Sequence, residues 1–468
     1  MIKDNTIVSD MEGIKDFKDK KVLIVGMGLS GVAAARLLSD FNVDVRITDS
    51  RDELELVENI MQLPDGVTIE TGGHSSVMVD GVDMVVVSPG VSADNPIITK
   101  AHEHNIPVVS EIELAYSFTA SIPWIAVTGT NGKSTTTTLI DLILRRAGYN
   151  IITGGNLGMP LCGAIKDHYS SNSKERVDYI VSEISSFQLE TIETFRPHIS
   201  VILNITPDHL DRYRDMDEYI GAKKSIIKNL TEEDKLILNF EDPVVRAFEE
   251  ETPAKIYFFS ARSFHDGISA FLKDGYIYIN GKEIISVNDM ALKGAHNMEN
   301  VMAATLASML AGAGPESIRD VLISFRGLEH RLEYVDRIDS VEFYNDSKGT
   351  NIGAVIKSLE SFEHSVVLIL GGKDKGGDFK DLIPYIKERV KAVVAIGECR
   401  EKVVKQLKDE VLVVRAEDMR DTVDKAFELA KPSGVVLLSP GCASFDMFEN
   451  FEHRGRVFKE EVYRIRGK

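Results

Sequence analysis

Apolar residues in this chain fall into short runs rich in β-branched side chains, which alternate with longer segments of helical period. Strand-like runs that alternate with helices predict parallel strands joined by crossover helices. The first series has its runs at residues 22–25, 43–48 and 84–87. After a polar stretch at 117–123, a second series has its runs at residues 124–128, 179–182 and 200–204. We therefore expect two successive α/β domains.

The rest of the chain contains one segment of different pattern and a third α/β series. Residues 268–285 alternate Ile and Tyr around Asp274-Gly275 and Asn280-Gly281, which predicts an antiparallel meander. Residues 298–311, rich in Ala, Met and Leu, predict a helix that ends near Gly312. Strand-like runs restart after a candidate boundary at 327–331 and occupy residues 341–344, 366–370, 392–396 and 435–438. The predicted domains are residues 1–119, 120–327 and 328–468.

Composition and charge narrow the class of protein. The 468 residues suffice for about three domains of roughly 150 residues. A formal net charge of −19 argues against a nucleic-acid binder or a protein held on an anionic membrane, because those surfaces need clustered Lys and Arg. No apolar run approaches the length of a membrane span, so we expect no membrane insertion. The three cysteines form no Cys-x-x-Cys pair, and we expect a protein of the reducing cytoplasm.

The first glycine motif, Gly26-Met-Gly-Leu-Ser-Gly31, follows a predicted strand and opens a predicted helix. In this context the glycines allow a tight turn, and the helix N-terminus offers N–H groups to a phosphate. Asp49 ends the next strand, at the spacing where an acid can meet a ribose hydroxyl. By itself the motif predicts a dinucleotide-binding enzyme. The alternative is that these glycines serve only to pack strand against helix.

The second glycine motif, Gly129-Thr-Asn-Gly-Lys-Ser-Thr135, also lies at a strand-to-helix junction. Its backbone amides can cradle phosphate oxygens, Lys133 can neutralise them, and the Ser134 hydroxyl can reach a magnesium ion. The match to the Walker A pattern is imperfect, because Val127 stands where that pattern has its first glycine. The adjacent Lys-Ser pair nevertheless favours ATP binding over a purely structural turn.

Glu183 and His209 follow the next two strands of the second series. Because ligands bind at the carboxyl edge of a parallel sheet, both side chains are candidates to hold a metal beside the phosphates. A carboxylate and one imidazole, completed by phosphates and waters, suit Mg²⁺ or Mn²⁺ better than zinc. For His209 alone, a capping role is the alternative. For Lys223, in a basic helical segment, the pattern favours a solvent-exposed helix face.

Further polar clusters lie near the second domain boundary and in the third domain. Asn297 and Asn300 are close to one helical turn apart and can reach a nucleotide, although amides also cap helices. Arg331 and Lys348 are suited to phosphate and carboxylate oxygens, the first through a planar fork and the second as a point charge. The strand at 435–438 is followed by the polar segment 439–444.

Taken in order, these motifs resemble those of the Mur ligases of bacterial cell-wall synthesis, and most closely the branch that adds D-glutamate. The resemblance covers nearly the whole chain and is carried by residues 26–31, 88–90, 129–135, 155–156, 183–190, 208–213, 296–297, 330–331, 345–351 and 439–444 with Phe451. It implies an α/β protein of three domains: a Rossmann-like N-terminal domain, a central P-loop ATPase-type domain with a small antiparallel annex, and a Rossmann-like C-terminal domain.

The resemblance also implies a reaction and a set of partners. The expected enzyme is an ADP-forming acid–amino-acid ligase that adds D-glutamate to UDP-N-acetylmuramoyl-L-alanine through an acyl phosphate, in peptidoglycan precursor synthesis. Its expected partners are these two small-molecule substrates and ATP, with Mg²⁺, in two sites, as cofactor. It is expected to act as a monomer. Lys223 is then expected to be carbamylated and to bridge a magnesium ion, against the interpretation from pattern alone.

Residue roles follow from the resemblance position by position. Catalytic roles are implied for Lys133, His209 and Lys348. ATP contacts are implied for Gly129, Thr130, Asn131, Gly132, Lys133, Ser134, Thr135, Asn297, Asn300, Arg331 and Asp346. Contacts to the UDP-substrate are implied for Gly28, Leu29, Ser30, Asp49, Ser50, Arg51, Ser88, Pro89, Gly90 and Asn156. Contacts to the amino acid are implied for Lys348, Thr350, Ser444 and Phe451, and metal binding for Ser134, Glu183, His209 and carbamylated Lys223.

Two other functions stay open at this point. An NAD-dependent oxidoreductase fits residues 26–31 but leaves the second glycine motif without a role. A nucleotide-regulated binding protein fits both motifs without any ligase chemistry. Phosphate release that requires both the UDP-linked acceptor and D-glutamate separates these possibilities.

Overall fold

The computed structural model describes residues 17–92, 94–156, 158–171, 175–210, 212–262, 267–292, 295–374 and 376–466, without the side chains of Ala295 and His296. The chain forms two compact units. The first comprises Met1–Ile205, Asp217–Asn288 and Glu299–Val321, and the second comprises Thr206–Met216, Asp289–Met298 and Leu322–Lys468. Two sheets lie in the first unit and one in the second, so the α/β class is confirmed.

The first sheet has five strands in the order β3-β2-β1-β4-β5, and all its pairs are parallel. Its apolar runs are buried on both faces, as expected where helices cover a parallel sheet. The strands are β1 (Lys21–Val25), β2 (Asp44–Thr48), β3 (Thr68–Glu70), β4 (Met84–Val87) and β5 (Val108–Ser110). The helices are α1 (Leu29–Leu38), α2 (Val57–Ile60), α3 (Pro96–Glu103) and α4 (Glu111–Thr119).

The second sheet has nine strands in the order β14-β13-β12-β11-β10-β9-β6-β8-β7, with β6 flanked by β8 and β9. The strands are β6 (Trp124–Thr128), β7 (Ile151–Gly155), β8 (Tyr179–Glu183), β9 (Ile199–Ile202), β10 (Lys235–Asn239), β11 (Lys255–Ser260), β12 (Ile268–Lys273), β13 (Tyr276–Ile279) and β14 (Lys282–Ser286). Strands β12 to β14 pair antiparallel, which confirms the predicted meander. This annex continues the main sheet, because β12 pairs parallel with β11.

The helices that follow the strands of this middle region cover the sheet or close the domain. They are α5 (Lys133–Arg146), α6 (Leu161–Ser170), α7 (Ser186–Leu189), α8 (Met216–Lys224), α9 (Pro243–Ala247), α10 (Ala295–Leu310) and α11 (Pro315–Ser324). Helix α10 begins three residues earlier than the sequence pattern predicts.

The third sheet has six strands in the order β15-β16-β20-β17-β18-β19. All its pairs are parallel except β15 with β16, an antiparallel edge pair that the sequence pattern did not predict. Alternate residues of the central strands feed two apolar clusters, one on each face. The strands are β15 (Glu333–Ile338), β16 (Val341–Asn345), β17 (Val366–Gly371), β18 (Val390–Ile396), β19 (Leu412–Arg415) and β20 (Gly434–Leu438). The helices are α12 (Ile352–Leu359), α13 (Ile383–Arg389), α14 (Arg400–Leu407), α15 (Met419–Ala430) and α16 (Phe451–Arg466).

Within the first unit, helices that flank the first sheet pack against helix α6 and the loop at 194–195 of the middle region. Helix α1 contacts α6, and Lys166 on α6 forms an ion pair with Asp40. The buried carboxylate of Glu113 accepts hydrogen bonds from the backbone N–H groups of Thr194 (2.7 Å) and Phe195 (3.0 Å). These contacts fix the two sheets against each other, because a buried carboxylate has to be hydrogen-bonded by the segment it faces.

None of the helices in the described ranges combines the length and the apolar character that a membrane span requires.

Candidate functional site

The second glycine motif connects β6 to α5 in the first unit, at the carboxyl end of the middle sheet. Gly132 occupies the left-handed region (φ +89°), and a β-carbon at this position would lie 2.1 Å from the side-chain oxygen of Asn300. Only glycine meets both conditions. The first turn of α5 carries Ser134 and Thr135, both buried. The turn therefore leads directly into the N-terminus of α5, the arrangement that binds phosphate at a helix N-terminus.

Asn204, just beyond β9, holds the tip of this loop. Its side-chain oxygen accepts a hydrogen bond from the Asn131 N–H (2.8 Å), and its Nδ2 donates to the Asn131 carbonyl (3.1 Å). The Asn204 carbonyl accepts from the Thr130 N–H (2.8 Å). Sequence reasoning missed this residue, although a polar residue at the end of a predicted strand was the available signal.

Two lysines converge on the Gly129 carbonyl. The Nζ of Lys133 donates to it at 2.9 Å and to the Thr130 carbonyl at 2.8 Å. The Nζ of Lys223 on α8 donates to the same Gly129 oxygen at 2.8 Å. Lys223 is only 1% exposed, so its assignment to a solvent-exposed helix face from pattern alone is wrong. Its Nζ lies 4.8 Å from the ring centre of Tyr219, whose hydroxyl is 3.0 Å from Thr130 Oγ1.

Glu183 ends β8 and is level with Val127 of β6 in the parallel ladder. It is 2% exposed, and its Oε1 accepts a hydrogen bond from Asn156 Nδ2 at 2.7 Å. The Asn156 N–H also donates to the Glu183 carbonyl (2.8 Å). The helix that follows starts with a capping box formed by Ser185 and Gln188, which fixes the chain direction immediately after Glu183. The predicted metal ligand and the predicted substrate contact are thus neighbours.

The chemistry of this donor set fits a magnesium ion. Ser134 supplies a hydroxyl and Glu183 a carboxylate, and both belong to the first unit. A carbamylated Lys223 would replace a buried cation by a third oxygen ligand. Hard divalent cations select oxygen ligands of this kind. In the part of the chain that the structure describes, the set contains no thiolate, which argues for Mg²⁺ or Mn²⁺ over zinc.

Helix α10 carries the predicted nucleotide contacts Asn297 and Asn300 on successive turns, and both are buried. Asn300 lies against Gly132 of the phosphate loop, as the close approach of its side-chain oxygen shows. The neighbouring His296 side chain, and Asp211 of the motif at 208–213, lie outside the described residues.

The first glycine motif connects β1 to α1. A β-carbon at Gly31 would lie 2.0 Å from the Gly26 carbonyl, so this glycine is required by strand-to-helix packing. Ser88 Oγ donates to the same Gly26 carbonyl at 2.9 Å and ties the turn to the end of β4. Gly28, in contrast, has open space where a side chain would lie, as does Gly90. Gly31 is therefore required for packing, whereas a ligand contact at Gly28 stays a prediction.

Asp49 lies beside this turn, but its carboxylate is engaged within the protein. Its Oδ2 accepts from the Met27 N–H at 2.7 Å, and its two oxygens form a bidentate pair with Arg51 at 2.8 and 3.0 Å. Although burial alone would raise it, these hydrogen bonds from Arg51 and Met27 lower the pKa of Asp49 to about 2. Asp49 thus shapes the loop and orients Arg51, in addition to any contact with a ribose.

The remaining predicted residues at this turn face solvent or lie at its rim. Leu29, the first residue of α1, is 69% exposed, which is unusual for leucine. Ser50, Arg51 and Gly90 are exposed, whereas Ser30, Ser88 and Pro89 are half-buried. The predicted UDP-substrate contacts on this sheet therefore gather at its carboxyl edge, after β1, β2 and β4.

In the second unit, His209 has a positive φ (+56°) within a turn stabilised from both sides. Its N–H is the donor to Asp208 Oδ1 (3.0 Å), and its carbonyl accepts from the N–H groups of Arg212 and Tyr213. Asp208 Oδ2 in turn accepts from Asn351 Nδ2 at 2.8 Å. This turn joins the motif at 208–213 to the motif at 345–351.

Asp346 follows β16 in the same unit and binds three separate segments. It accepts hydrogen bonds from Ser358 Oγ (2.6 Å), Ser439 Oγ (2.7 Å) and the Leu332 N–H (3.2 Å). Burial raises the pKa of this carboxyl to about 6, against the lowering effect of these bonds. Arg331, two residues before β15, is half-buried and contributes to that lowering through its charge.

The predicted amino-acid contacts lie in this unit as well. Lys348 Nζ is 3.8 Å from the ring centre of Phe451, a close cation–π contact. The Thr350 N–H donates to the Lys348 carbonyl at 2.8 Å, which forms a tight turn. Ser444, in the segment after β20, is buried.

Arg454 is a further residue of this region that sequence reasoning missed. It is buried on α16, and its guanidinium donates to Ser347 Oγ (2.9 Å), the Ser347 carbonyl (2.7 Å) and the carbonyls of Cys442 and Ala443 (3.2 Å each). It therefore links the segments that contain Lys348 and Ser444. Burial lowers the pKa of Arg454 to about 10. Its place within a charged helical pattern gave no signal in the sequence.

Two glycine-rich strand-to-helix turns define the class of nucleotide-phosphate-binding α/β enzymes. One of them carries the half-buried Lys133, the buried Lys223 and a neighbouring carboxylate. Three family models match in succession: the Mur ligase MurD-like N-terminal domain at residues 20–110, the Mur ligase middle domain at 127–308, and the Mur ligase glutamate ligase domain at 330–442. The chain belongs to the Mur ligase family.

Curated relatives align over nearly their whole length. Proteins named UDP-N-acetylmuramoylalanine–D-glutamate ligase are 44% identical in Koribacter versatilis and 43% identical in Acidobacterium capsulatum, covering 96% and 97% of this chain and 98% of each relative. The protein of that name in Caldanaerobacter subterraneus is 39% identical and covers 96% of this chain and 100% of its own.

Solved structures share the fold at low sequence identity. The pseudomurein peptide ligase type C of Methanothermus fervidus has a TM-score of 0.60 at 17% identity, with 96% of this chain and 100% of that chain covered. The UDP-N-acetylmuramate-alanine ligase of Thermotoga maritima has a TM-score of 0.59 at 19% identity, with 96% and 99% covered. The three-domain α/β architecture expected from sequence is thereby confirmed.

Proposed function

We propose that this chain is the ATP-dependent, ADP-forming ligase that adds D-glutamate to UDP-N-acetylmuramoyl-L-alanine in peptidoglycan precursor synthesis. The observation that carries the proposal is the alignment of relatives with this named activity over 96–97% of the chain at 39–44% identity. The phosphate loop of the middle domain supplies the physical basis for the use of ATP. The substrates are small molecules, and the protein acts in the cytoplasm as a monomer.

The first step activates a carboxylate, which is a poor acyl donor. A carboxylate oxygen of the UDP-linked substrate attacks the γ-phosphorus of ATP, forming an acyl phosphate while the bond to ADP breaks. Both reactants are anions, so catalysis depends on positioned positive charge. Lys133, hydrogen-bonded to the loop carbonyls, is placed to exchange those acceptors for phosphate oxygens. Gly129, Thr130, Asn131, Gly132, Ser134 and Thr135 bind the phosphates through the loop and the start of α5.

The second step joins the amino acid. The amine of D-glutamate attacks the acyl carbon, the bond to phosphate breaks, and inorganic phosphate leaves. Lys348 and Thr350 contact the carboxylates of D-glutamate, with Ser444 and Phe451 forming the rest of the pocket. The ring of Phe451 holds the Lys348 ammonium in place. Electrostatics and positioning supply the rate enhancement, without a covalent protein nucleophile.

Magnesium is proposed as the cofactor, in two sites. Ser134, Glu183, His209 and a carbamylated Lys223 would hold it. When bound, Mg²⁺ neutralises phosphate charge and thereby favours attack on the γ-phosphorus. Lys223 is buried at the Gly129 carbonyl of the phosphate loop, so the oxygens of a carbamate on its Nζ would lie beside that loop.

The nucleotide and the UDP-substrate are assigned to different motifs. Asn297, Asn300, Arg331 and Asp346 contact ATP beyond its phosphates. The uridine diphosphate occupies the carboxyl edge of the first sheet, at Gly28, Leu29, Ser30, Asp49, Ser50, Arg51, Ser88, Pro89 and Gly90. Asn156, which is hydrogen-bonded to Glu183, contacts the sugar-peptide portion. This arrangement gives each glycine-rich turn its own phosphate ligand.

A coupled assay tests the proposal directly. Inorganic phosphate released by the purified chain is measured with ATP and Mg²⁺, with UDP-N-acetylmuramoyl-L-alanine and D-glutamate omitted singly and together. Release that requires both acceptors, with the amide product found by mass spectrometry, supports the ligase. ATP hydrolysis without either acceptor would indicate a nucleotide-regulated binding protein, and a change in nicotinamide absorbance would indicate an oxidoreductase. L-Glutamate serves as the stereochemical control.

A further inference from the structure

Two cysteines that are 43 residues apart in sequence meet inside the third domain. The sulfur atoms of Cys399 and Cys442 are 3.1 Å apart, and both residues are buried in the same apolar cluster. Nothing in the proposed ligase reaction uses either thiol. The sequence, with its widely separated cysteines, gave no indication that two of them form a pair.

The backbone holds the two thiols opposite each other. Cys399 precedes α14, and its N–H donates to the Gly372 carbonyl at 3.0 Å. Cys442 lies after β20, where its carbonyl accepts a hydrogen bond from Arg454. Gly372 lies close to both segments, and a β-carbon at this position would lie 3.2 Å from Cys442 Cβ. The pair is therefore anchored on both sides by fixed main chain.

We propose that Cys399 and Cys442 are a modification site, at which a hydroperoxide forms a reversible disulfide that impairs use of D-glutamate. The effect on D-glutamate rests on the proposed ligase function, whereas formation of the bond does not. To form it, the sulfurs have to approach from 3.1 Å to the bonding distance of about 2.05 Å.

The chemistry balances with hydrogen peroxide as the oxidant. The Cys399 thiolate attacks one peroxide oxygen, the O–O bond breaks, and a sulfenic acid and one water result once the leaving hydroxide takes a proton. The Cys442 sulfur then attacks the Cys399 sulfur, the S–O bond breaks, and a second water leaves. The two thiols lose two electrons in total, and the peroxide gains them. A hydrogen bond from the Cys442 thiol lowers the pKa of Cys399, which makes Cys399 the first nucleophile.

The position of Cys442 connects this bond to the amino-acid pocket. Ser444, a proposed D-glutamate contact, lies two residues further along the chain. The carbonyls of Cys442 and Ala443 share the Arg454 guanidinium, which also binds Ser347 next to Lys348. Because both cysteines are anchored by main chain, we expect closure of the sulfur gap by about 1 Å to shift this segment. Misplacement by about that distance costs on the order of 10²-fold in rate at a reacting site.

The first experiment detects the bond itself. The full-length protein is treated with hydrogen peroxide, alkylated under denaturing conditions, digested and analysed by mass spectrometry. We expect one cross-linked peptide pair containing Cys399 and Cys442, two thiols fewer per chain, and full recovery with dithiothreitol. Cys162, which is buried against Glu111, should stay a free thiol during the treatment and should be recovered in alkylated form. Three free thiols after treatment, or sulfinic acid on Cys399 or Cys442 without a cross-link, would overturn the proposal.

The second experiment measures the consequence. Oxidised protein should show a rise in KM for D-glutamate of about tenfold or more, consistent with displacement of a contacting segment, with reversal by dithiothreitol. Cys399→Ala should resist the oxidant, whereas the matched variant Cys162→Ala should respond like the wild type. A cross-link without any change in KM would refute the effect on D-glutamate. Absence of ligase activity before oxidation would refute the proposed function while leaving the cross-link result intact. If Cys399→Ala does not fold, reversal of the KM change by dithiothreitol in the wild type tests whether the disulfide causes that change.

Discussion

Ser439 donates a hydrogen bond from its hydroxyl to the buried carboxylate of Asp346, with 2.7 Å between Oγ and Oδ2. The two residues are the first after β20 and β16, and the last residues of these strands, Leu438 and Asn345, are paired in the parallel ladder. Their contact therefore follows from register alone. Through it, the motif at 345–351 and the motif at 439–444 are joined at the carboxyl edge of the third sheet.

The stability of the protein should depend on pH through Asp346. Burial raises its folded-state pKa to about 6 from a usual value of 3.8, so the folded state binds a proton more tightly than the unfolded chain. Stability contributed by this group is complete below about pH 4 and is lost as pH rises to about 6. This difference between the folded and unfolded pKa corresponds to at most about 3 kcal/mol. Asp346→Asn keeps an acceptor and removes the titration.

Chemical denaturation of wild type and Asp346→Asn at pH 4, 5, 6 and 7 checks this. The unfolding free energy of Asp346→Asn minus that of the wild type should increase as pH rises. This difference should level off above about pH 6 to 7. Asp381→Asn, an exposed position in the same domain, is the matched control and should show no such trend. A difference that stays constant with pH would contradict the assignment of a raised pKa.

Much of this fold could be predicted from sequence, because the strand runs of a parallel sheet are apolar throughout and stand out between helical segments. The edge strand β15 was missed, since its residues are only half-buried and its pattern is mixed. The glycine positions of the phosphate loop could also be predicted from the sequence. The burial of Lys223 and Arg454 could not be predicted, because the other charged residues of their helices are half-buried or exposed, and only tertiary packing buries these two.

Replacement of Lys133 by alanine should strongly reduce product formation without preventing binding of the UDP-substrate. Loss of one positioned charge at a phosphoryl-transfer site costs about 10²–10³-fold in kcat. The UDP-substrate motif belongs to the first sheet and should be unaffected. Phosphate release and calorimetric titration with UDP-N-acetylmuramoyl-L-alanine measure the two effects. Arg146→Ala, at the far end of α5 and paired on the surface with Asp320, should behave like the wild type. Loss of UDP-substrate binding together with loss of phosphate release would argue against separate sites.

Lys223→Ala should lose ligase activity that short-chain carboxylates partly restore. The substitution leaves a space where the carbamate would lie, and acetate or propionate can enter it and return an oxygen ligand. We expect a loss of roughly 10²-fold in kcat, as for other removed electrostatic groups, and a saturable recovery with added carboxylate. Lys224→Ala is the matched control, because Lys224 forms a surface ion pair with Glu251. If no concentration of carboxylate restores activity, carbamylation of Lys223 is refuted.

Arg454→Lys should raise KM for D-glutamate while leaving ATP binding intact. The guanidinium makes four hydrogen bonds to Ser347, Cys442 and Ala443, and an ammonium cannot reproduce this planar arrangement. The two segments that carry Lys348 and Ser444 would then shift relative to each other, for which we expect a loss of about 10- to 100-fold in kcat/KM for D-glutamate. Arg456→Lys, exposed on the same helix, provides the control. A purely structural role would lower thermal stability and affect all three substrates alike, whereas a selective change in KM for D-glutamate identifies Arg454 as a positioning residue of the amino-acid pocket.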